Sequence, residues 1–141
     1  MIIDMPRIQD LENLISWFEN KYSVEFAPSK MYALFPKEGE YGWRRDVPYP
    51  NSEKAGVYAF FDENLELVYI GKAKCFGRRF GSYFGYDENW GCMIRDSRVQ
   101  DARYIKNYAT PEGEEYMALA LEEFLIAGLN PKDNTMSRTQ W

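Results

Sequence analysis

The sequence predicts an α+β fold, and three observations carry that prediction. Residues 7–21 place Ile8, Leu11, Leu14, Ile15 and Phe18 at helical spacing. Residues 55–61 and 65–70 are rich in β-branched and aromatic side chains and flank Asp62-Glu63-Asn64, the pattern of a β-hairpin. Residues 111–127 return to a helical period. A chain of 141 residues that is 45% hydrophobic and 17% aromatic has room for one domain with a substantial core.

The N-terminus, Met1-Ile2-Ile3-Asp4-Met5-Pro6, has no basic region followed by an apolar stretch, so no leader is expected. No run approaches the roughly 18 apolar residues of a membrane helix, and a cytoplasmic location is expected. After the first helix, residues 22–54 carry Pro28, Pro36, Pro48 and Pro50 among aromatic residues and read as an irregular arm with a short helix or strand. The expected division is residues 1–54, a helix and arm packed on the core, and residues 55–141, the main domain. Cys75 and Cys92 read as free thiols rather than a disulfide framework.

Within the hairpin, an even-length turn centred between Glu63 and Asn64 puts Tyr58 directly opposite Tyr69 on one face of the sheet. An odd-length turn would put the two rings on opposite faces. The alternative to a functional tyrosine pair is an aromatic pair that only packs. Residues 74–84 read as a short helix with Phe76, Phe80 and Phe84 on one stripe and with Arg79 and Tyr83 sharing another. Gly77 and Gly81 each weaken it by roughly 1 kcal/mol relative to alanine, which points to close backbone approach. Residues 85–98 read as a loop with a possible short helix, and residues 102–109 as a third strand. Thr110-Pro111-Glu112-Gly113-Glu114 reads as the start of the last helix.

There is no histidine, which excludes a Ser-His triad and imidazole metal sites. Acid–base chemistry is left to Tyr, Lys, Asp, Glu or Cys. The net charge of −5 argues against a general nucleic-acid coat. Yet residues 71–108 hold eight basic side chains against four acidic ones. A positive cleft on an acidic body suits an enzyme that touches nucleic acid locally; the alternative is an ordinary solvated surface.

At about 100° per residue, Glu122 falls in the middle of the last helix's apolar stripe, between Ala118, Leu119, Leu125 and Ile126. A lone buried charge costs several kcal/mol unless it is paired or coordinated. A rotated helix or a salt bridge would explain it. So would a carboxylate aimed into a cleft to hold a hard cation such as Mg²⁺.

Gly56-Val57-Tyr58, Tyr69-Ile70-Gly71, Arg79, Glu122 and Asn130-Pro131-Lys132-Asp133-Asn134 occur in an order and spacing that resemble the GIY-YIG nuclease family. Gly71-Lys72-Ala73-Lys74 and Ser82-Tyr83-Phe84 resemble its excision-repair branch. The resemblance runs from Ala55 to Asn134. It implies a three-stranded antiparallel sheet flanked by helices, here with an N-terminal helical extension. It also implies a metal-dependent endonuclease acting on duplex or branched DNA, with one Mg²⁺ or Mn²⁺ held by Glu122. Tyr69 is then the general base or water-orienting group and Tyr58 its partner, with Lys72, Arg79 and the metal favouring phenolate. Arg79 meets the scissile phosphate, Lys72 and Tyr83 position it, and Asn134 braces the site. A stand-alone role outside full excision repair is expected. The rival reading is a catalytically idle nucleic-acid- or protein-binding module on the same fold.

Overall fold

The computed structural model describes residues 5–134. Met1–Asp4, part of the basis for expecting no leader, and residues 135–141 lie outside them. In chain order the elements are α1 (Ile8–Tyr22), β1 (Ala27–Pro28), β2 (Tyr32–Ala33), β3 (Gly56–Phe61), β4 (Leu67–Ala73), α2 (Phe76–Tyr83), β5 (Phe84–Tyr86), β6 (Cys92–Ile94), β7 (Tyr104–Ala109) and α3 (Met117–Leu129). Short 3₁₀ turns cover Ser97–Val99 and Lys132–Asn134. Among the described residues no helix is long and apolar enough to cross a membrane.

The antiparallel sheet is built on β7-β3-β4, the three strands expected. The arm widens it to five, because β1 and β2 both pair with the outer edge of β7. An open β7 would present a row of unpaired backbone groups. Pro28 has no N–H for the ladder, and the pairing breaks just after it. Ser29 bridges the break: its N–H donates to the Asn107 carbonyl, and its hydroxyl accepts from the Asn107 N–H. The buried Asn107 amide donates to the Pro50 carbonyl and accepts from Asn51 Nδ2, fixing the end of the arm to the middle of β7.

The sheet separates two apolar layers. On one face Val57, Ala59, Phe61 and Ile70 pack with Leu11, Ile15 and Phe18 of α1 and with Leu121 and Leu125 of α3. On the other, Tyr58 and Phe60 pack with Phe76 and Phe80 of α2 and with Tyr32, Leu34 and Trp43 of the arm. Each buried aromatic ring contributes about 1.5–3 kcal/mol.

The β3–β4 register differs from the expected one. Phe60 faces Tyr69, and Tyr58 faces Gly71. The Asp62 N–H bonds to the Glu66 carbonyl across an odd turn, with Leu65 at φ 61°. That odd turn alone would send Tyr58 and Tyr69 to opposite faces. An irregularity between Phe60 and Phe61, with Val68 as the extra residue, restores the parity. The tyrosines therefore share a face as neighbours on a diagonal.

Three further elements depart from expectation. The last helix begins at Met117 and not at Pro111, because Glu114 N–H bonds to the Pro111 carbonyl and Gly113 takes φ 86°. Phe84 leaves the α2 stripe to open β5. Of residues 85–98, read as a loop with a possible short helix, those up to Ile94 join Phe84 in a two-stranded ribbon whose turn is held by Asp87, which accepts from the N–H groups of Asn89 and Gly91. Of the two helix glycines, Gly77 makes the close approach expected: its N–H donates to the Ser52 carbonyl at 2.7 Å. Gly81 faces open space. Cys75 and Cys92 are free thiols.

Candidate active site at the β4, α2 and α3 junction

Three tyrosines converge beneath α2. Tyr58 is buried, and its hydroxyl lies 2.7 Å from that of Tyr83. Tyr83 donates to the Tyr69 hydroxyl at 3.4 Å, a weak bond. Since Tyr83 donates to Tyr69, Tyr58 is left to donate to Tyr83. The two bonds thus both run toward Tyr69, whose own proton is left for an external partner. Phe60 and Phe80 wall the chain, their ring centroids 5.1 and 5.2 Å from that of Tyr58. Gly71 is required beneath it, because a Cβ there would overlap the Tyr58 ring and hydroxyl. Gly56 is required for a similar reason, since a Cβ would run into the Tyr108 carbonyl on β7.

Burial pushes the Tyr69 hydroxyl well above the ordinary tyrosine range, helped by its hydrogen bond to Tyr83; Arg98 pulls the other way. Burial raises Tyr58 too, against a smaller pull from Arg79. The chain's own groups thus hold both hydroxyls in the phenol form, and of the two expected cations only Arg79 eases the shift, at Tyr58.

Glu122 comes from α3 on the opposite side of β4. The buried positions of α3 are Ala118, Leu121, Leu125, Ile126 and Leu129, so the buried stripe centres to one side of Glu122. Leu119, expected in the core, is 54% exposed. Glu122 therefore stands at the flank of the stripe and not in its middle, with its side chain still only 12% exposed. Its nearest cation is Lys72, with Nζ 3.6 Å from Oε1. Burial raises the Glu122 pKa; Lys72 offsets part of that, Glu123 adds to it, and the more distant Arg79 lowers it. Arg79, exposed on α2, has no ion-pair partner among the described residues, yet its field reaches both Tyr58 and Glu122.

Asn134 is buried and grips β4. Its Oδ1 accepts from the Ile70 N–H and its Nδ2 donates to the Ile70 carbonyl, both at 2.8 Å. It acts as a one-residue strand partner on the residue between Tyr69 and Gly71, which makes it a positioning residue. Arg98 was not singled out by the sequence. It is locked to Asp96 by a 2.7 Å ion pair, and its charge bears on Tyr69. The one local signal was the Asp96-x-Arg98 spacing, which marks a turn as readily as a site. A groove of about 630 Å³ opens between α2 and the start of α3, lined by Lys72, Lys74, Arg78, Arg79 and Ser82 on one side and Tyr116 and Leu119 on the other. The tyrosine hydroxyls lie outside its lining.

The described residues contain no group of three or more His, Cys, Asp or Glu that could hold a metal. The donor set near Glu122 is one desolvated, hard carboxylate oxygen with a long, half-exposed lysine beside it. That set does not fit zinc. It fits a hard cation that keeps most of its water and takes its other ligands from a phosphate.

Hairpin tyrosines, a carboxylate on the last helix and cations on β4 and α2 define the class, a small α+β nuclease-type domain. Residues 54–135 match the family model of the UvrC-like GIY-YIG domain. The chain belongs to the GIY-YIG nuclease family, in its UvrC-like branch. It is 39% identical over 93 residues to a UvrABC system protein C from Helicobacter pylori, covering 63% of this chain and 15% of that protein. It is 38% identical over 91 residues to the protein of the same name from Nautilia profundicola, covering 61% of this chain and 14% of that one. The match thus spans about 15% of the length of these relatives.

Proposed function

We propose that this domain is a metal-dependent endonuclease that hydrolyses DNA phosphodiester bonds. The observation that carries the reading is the hydroxyl chain Tyr58–Tyr83–Tyr69 on β4's approach to Glu122, with Lys72 and Arg79 beside it. A divalent ion held by Glu122, Mg²⁺ or Mn²⁺, would supply Lewis-acid stabilisation of phosphate charge.

The chain's own residues account for the rest. Tyr69, held as a phenol, orients the attacking water rather than serving as a strong base. Its oxygen already accepts from Tyr83 and keeps its own proton, so the proton of the attacking water leaves to bulk solvent and not into the tyrosine chain. Arg79, with no carboxylate partner among the described residues, is available to the scissile phosphate as negative charge develops. Lys72 neutralises Glu122 in the resting protein and can turn to the phosphate when that carboxylate is otherwise engaged. Asn134 fixes β4, and with it the position of Tyr69.

A role outside full excision repair belongs to the same proposal. Residues 5–53 lie beyond the family match and add structure of their own to the sheet. The test is nicking of supercoiled plasmid by the purified chain with Mg²⁺, Mn²⁺ or EDTA, beside Glu122→Gln. Nicking by the wild type with metal alone is expected. Equal nicking by Glu122→Gln would overturn the assignment.

A further inference from the structure

The residues outside the hairpin site include a second cavity, of about 510 Å³, on the far side of α2. Its walls join the arm to the β5–β6 ribbon and bring together Trp43, Arg44, Arg45, Tyr49, Tyr86 and Arg95. The junction is built. Trp43 Nε1 donates to the Trp90 carbonyl, and the Tyr86 hydroxyl donates to the Arg45 carbonyl. The Arg45 guanidinium lies over the Trp90 ring, 4.1 Å from its centroid. Arg95 reaches back to α2 and donates to the Gly81 carbonyl at 3.2 Å.

We infer that this arginine–aromatic surface is a second nucleic-acid contact, seating the phosphodiester backbone of the DNA beyond the scissile phosphate. The inference rests on the nuclease reading for the identity of its ligand and extends it to the arm.

Charge is the first argument. None of Arg44, Arg45 and Arg95 has an ion-pair partner among the described residues, in a chain of net charge −5. Asp46 is the one acid in the cavity lining. Three neighbouring arginines without a carboxylate partner leave a local positive field on an acidic protein, which attracts an external anion. The second argument is chemistry. Exposed Trp90 and Tyr86 beside arginines offer stacking and charge together, the combination that tracks a nucleic-acid strand. Continuity is the third. Gly81 lines this cavity and its neighbour Ser82 lines the groove with Lys72 and Arg79, so the two openings adjoin at the last turn of α2 and give a strand a path from one to the other. That path favours a DNA backbone over an acidic protein segment.

The test is binding of a short fluorescein-labelled duplex to the uncut background Glu122→Gln, with Arg44→Ala, Arg45→Ala and Arg95→Ala added singly and together. Arg44→Ala is the clean variant, because its side chain makes no hydrogen bond or ion pair among the described residues; its melting temperature serves as the control. The triple variant should bind roughly tenfold more weakly at moderate salt, with the salt slope reduced by about 0.9 for each phosphate no longer neutralised. In the wild-type background the same arginine substitutions should raise KM and spare kcat. Unchanged affinity and slope in the triple variant overturn the inference. So does polyglutamate binding that needs the three arginines while duplex binding does not, which would assign the surface to an acidic protein segment. A wild type that binds duplex through these arginines but never nicks plasmid removes the nuclease reading and leaves this surface's role standing. A wild type that nicks, with arginine variants indistinguishable from it, does the reverse.

Discussion

The Tyr58 hydroxyl occupies the space that a Cβ on Gly71 would need. The two residues face each other across β3 and β4, so the glycine is the floor on which the buried tyrosine lies. Gly71→Ala must therefore push Tyr58 into Phe76 and Phe80, which already touch its ring. A loss of about 1–3 kcal/mol is expected, as for other overpacked cores, together with most of the nicking activity. Gly81→Ala on α2 is the matched control. Nothing lies near its added methyl, and helix propensity should stabilise by about 0.5–1 kcal/mol. Denaturant unfolding of both variants checks the pair; a Gly71→Ala protein as stable as wild type would contradict the packing.

The tyrosine chain predicts a specific failure of additivity. Tyr83→Phe leaves the buried Tyr58 hydroxyl with no partner, a cost of about 1–3 kcal/mol. Adding Tyr58→Phe removes that stranded hydroxyl, so the double variant should be more stable than Tyr83→Phe alone. Equilibrium unfolding of the two single variants and the double measures the coupling. Independent, additive losses would show that the hydroxyls do not form a chain.

Much of this site was legible because its parts are short-range. The tyrosines, Lys72 and Arg79 sit on a hairpin and the helix that follows, and local pattern places them. What stayed hidden depended on compensation or on distant partners. The hairpin turn is odd where an even one was expected, and the irregularity at Val68 cancels the consequence, so the shared face emerges from a different register. Helical periodicity carries on through Pro111–Tyr116, where Gly113 adopts a left-handed conformation that no apolar pattern reports. The arm's strands are two residues each and exist only because β7 offers an edge; Ala27 and Pro28 have no strand signal of their own. The Glu122 anomaly was visible, but its angular position assumed Leu119 was buried.

Glu122 gives a prediction with a defined sign. Its carboxyl titrates above its ordinary value because burial disfavours the charge. The folded protein therefore holds this proton more tightly than the unfolded chain. Its ionisation costs stability fully above the raised pKa, and that cost disappears as pH falls below the unfolded value. Glu122→Gln removes the cost, while the half-exposed Lys72 loses a partner worth at most about 1 kcal/mol. Without metal, Glu122→Gln should thus melt at or above the wild type near neutral pH, and the gap should close on acidification. Mg²⁺ should raise the wild-type melting temperature and leave the variant unmoved. That rise should fade as pH drops through the Glu122 titration, since protons compete for the same oxygen. Melts with EDTA and with Mg²⁺ across pH decide it; an equal Mg²⁺ shift in the variant removes Glu122 as the ligand.

Asn134 allows the bracing of β4 to be separated from chemistry. Its side chain satisfies both backbone groups of Ile70, one as acceptor and one as donor. Asn134→Ala strands both in a buried setting, at about 1–3 kcal/mol for each group, with no dependence on pH from the alanine itself. Asn134→Asp keeps the acceptor for the Ile70 N–H but sets a carboxylate oxygen against the Ile70 carbonyl. Protonation of that oxygen restores a donor, so the folded state should bind the proton more tightly than the unfolded one. Stability of the aspartate variant relative to wild type should then recover as pH falls and worsen as it rises, the opposite of what a surface aspartate would do. Nicking at neutral pH should fall in both variants through kcat, because Ile70 is flanked by Tyr69 and Gly71 and a loosened β4 lets the tyrosine drift. Denaturant unfolding at acidic and neutral pH, with plasmid nicking at neutral pH, tests this. An Asn134→Asp protein whose relative stability is flat with pH would show that the side chain does not clasp Ile70 in solution.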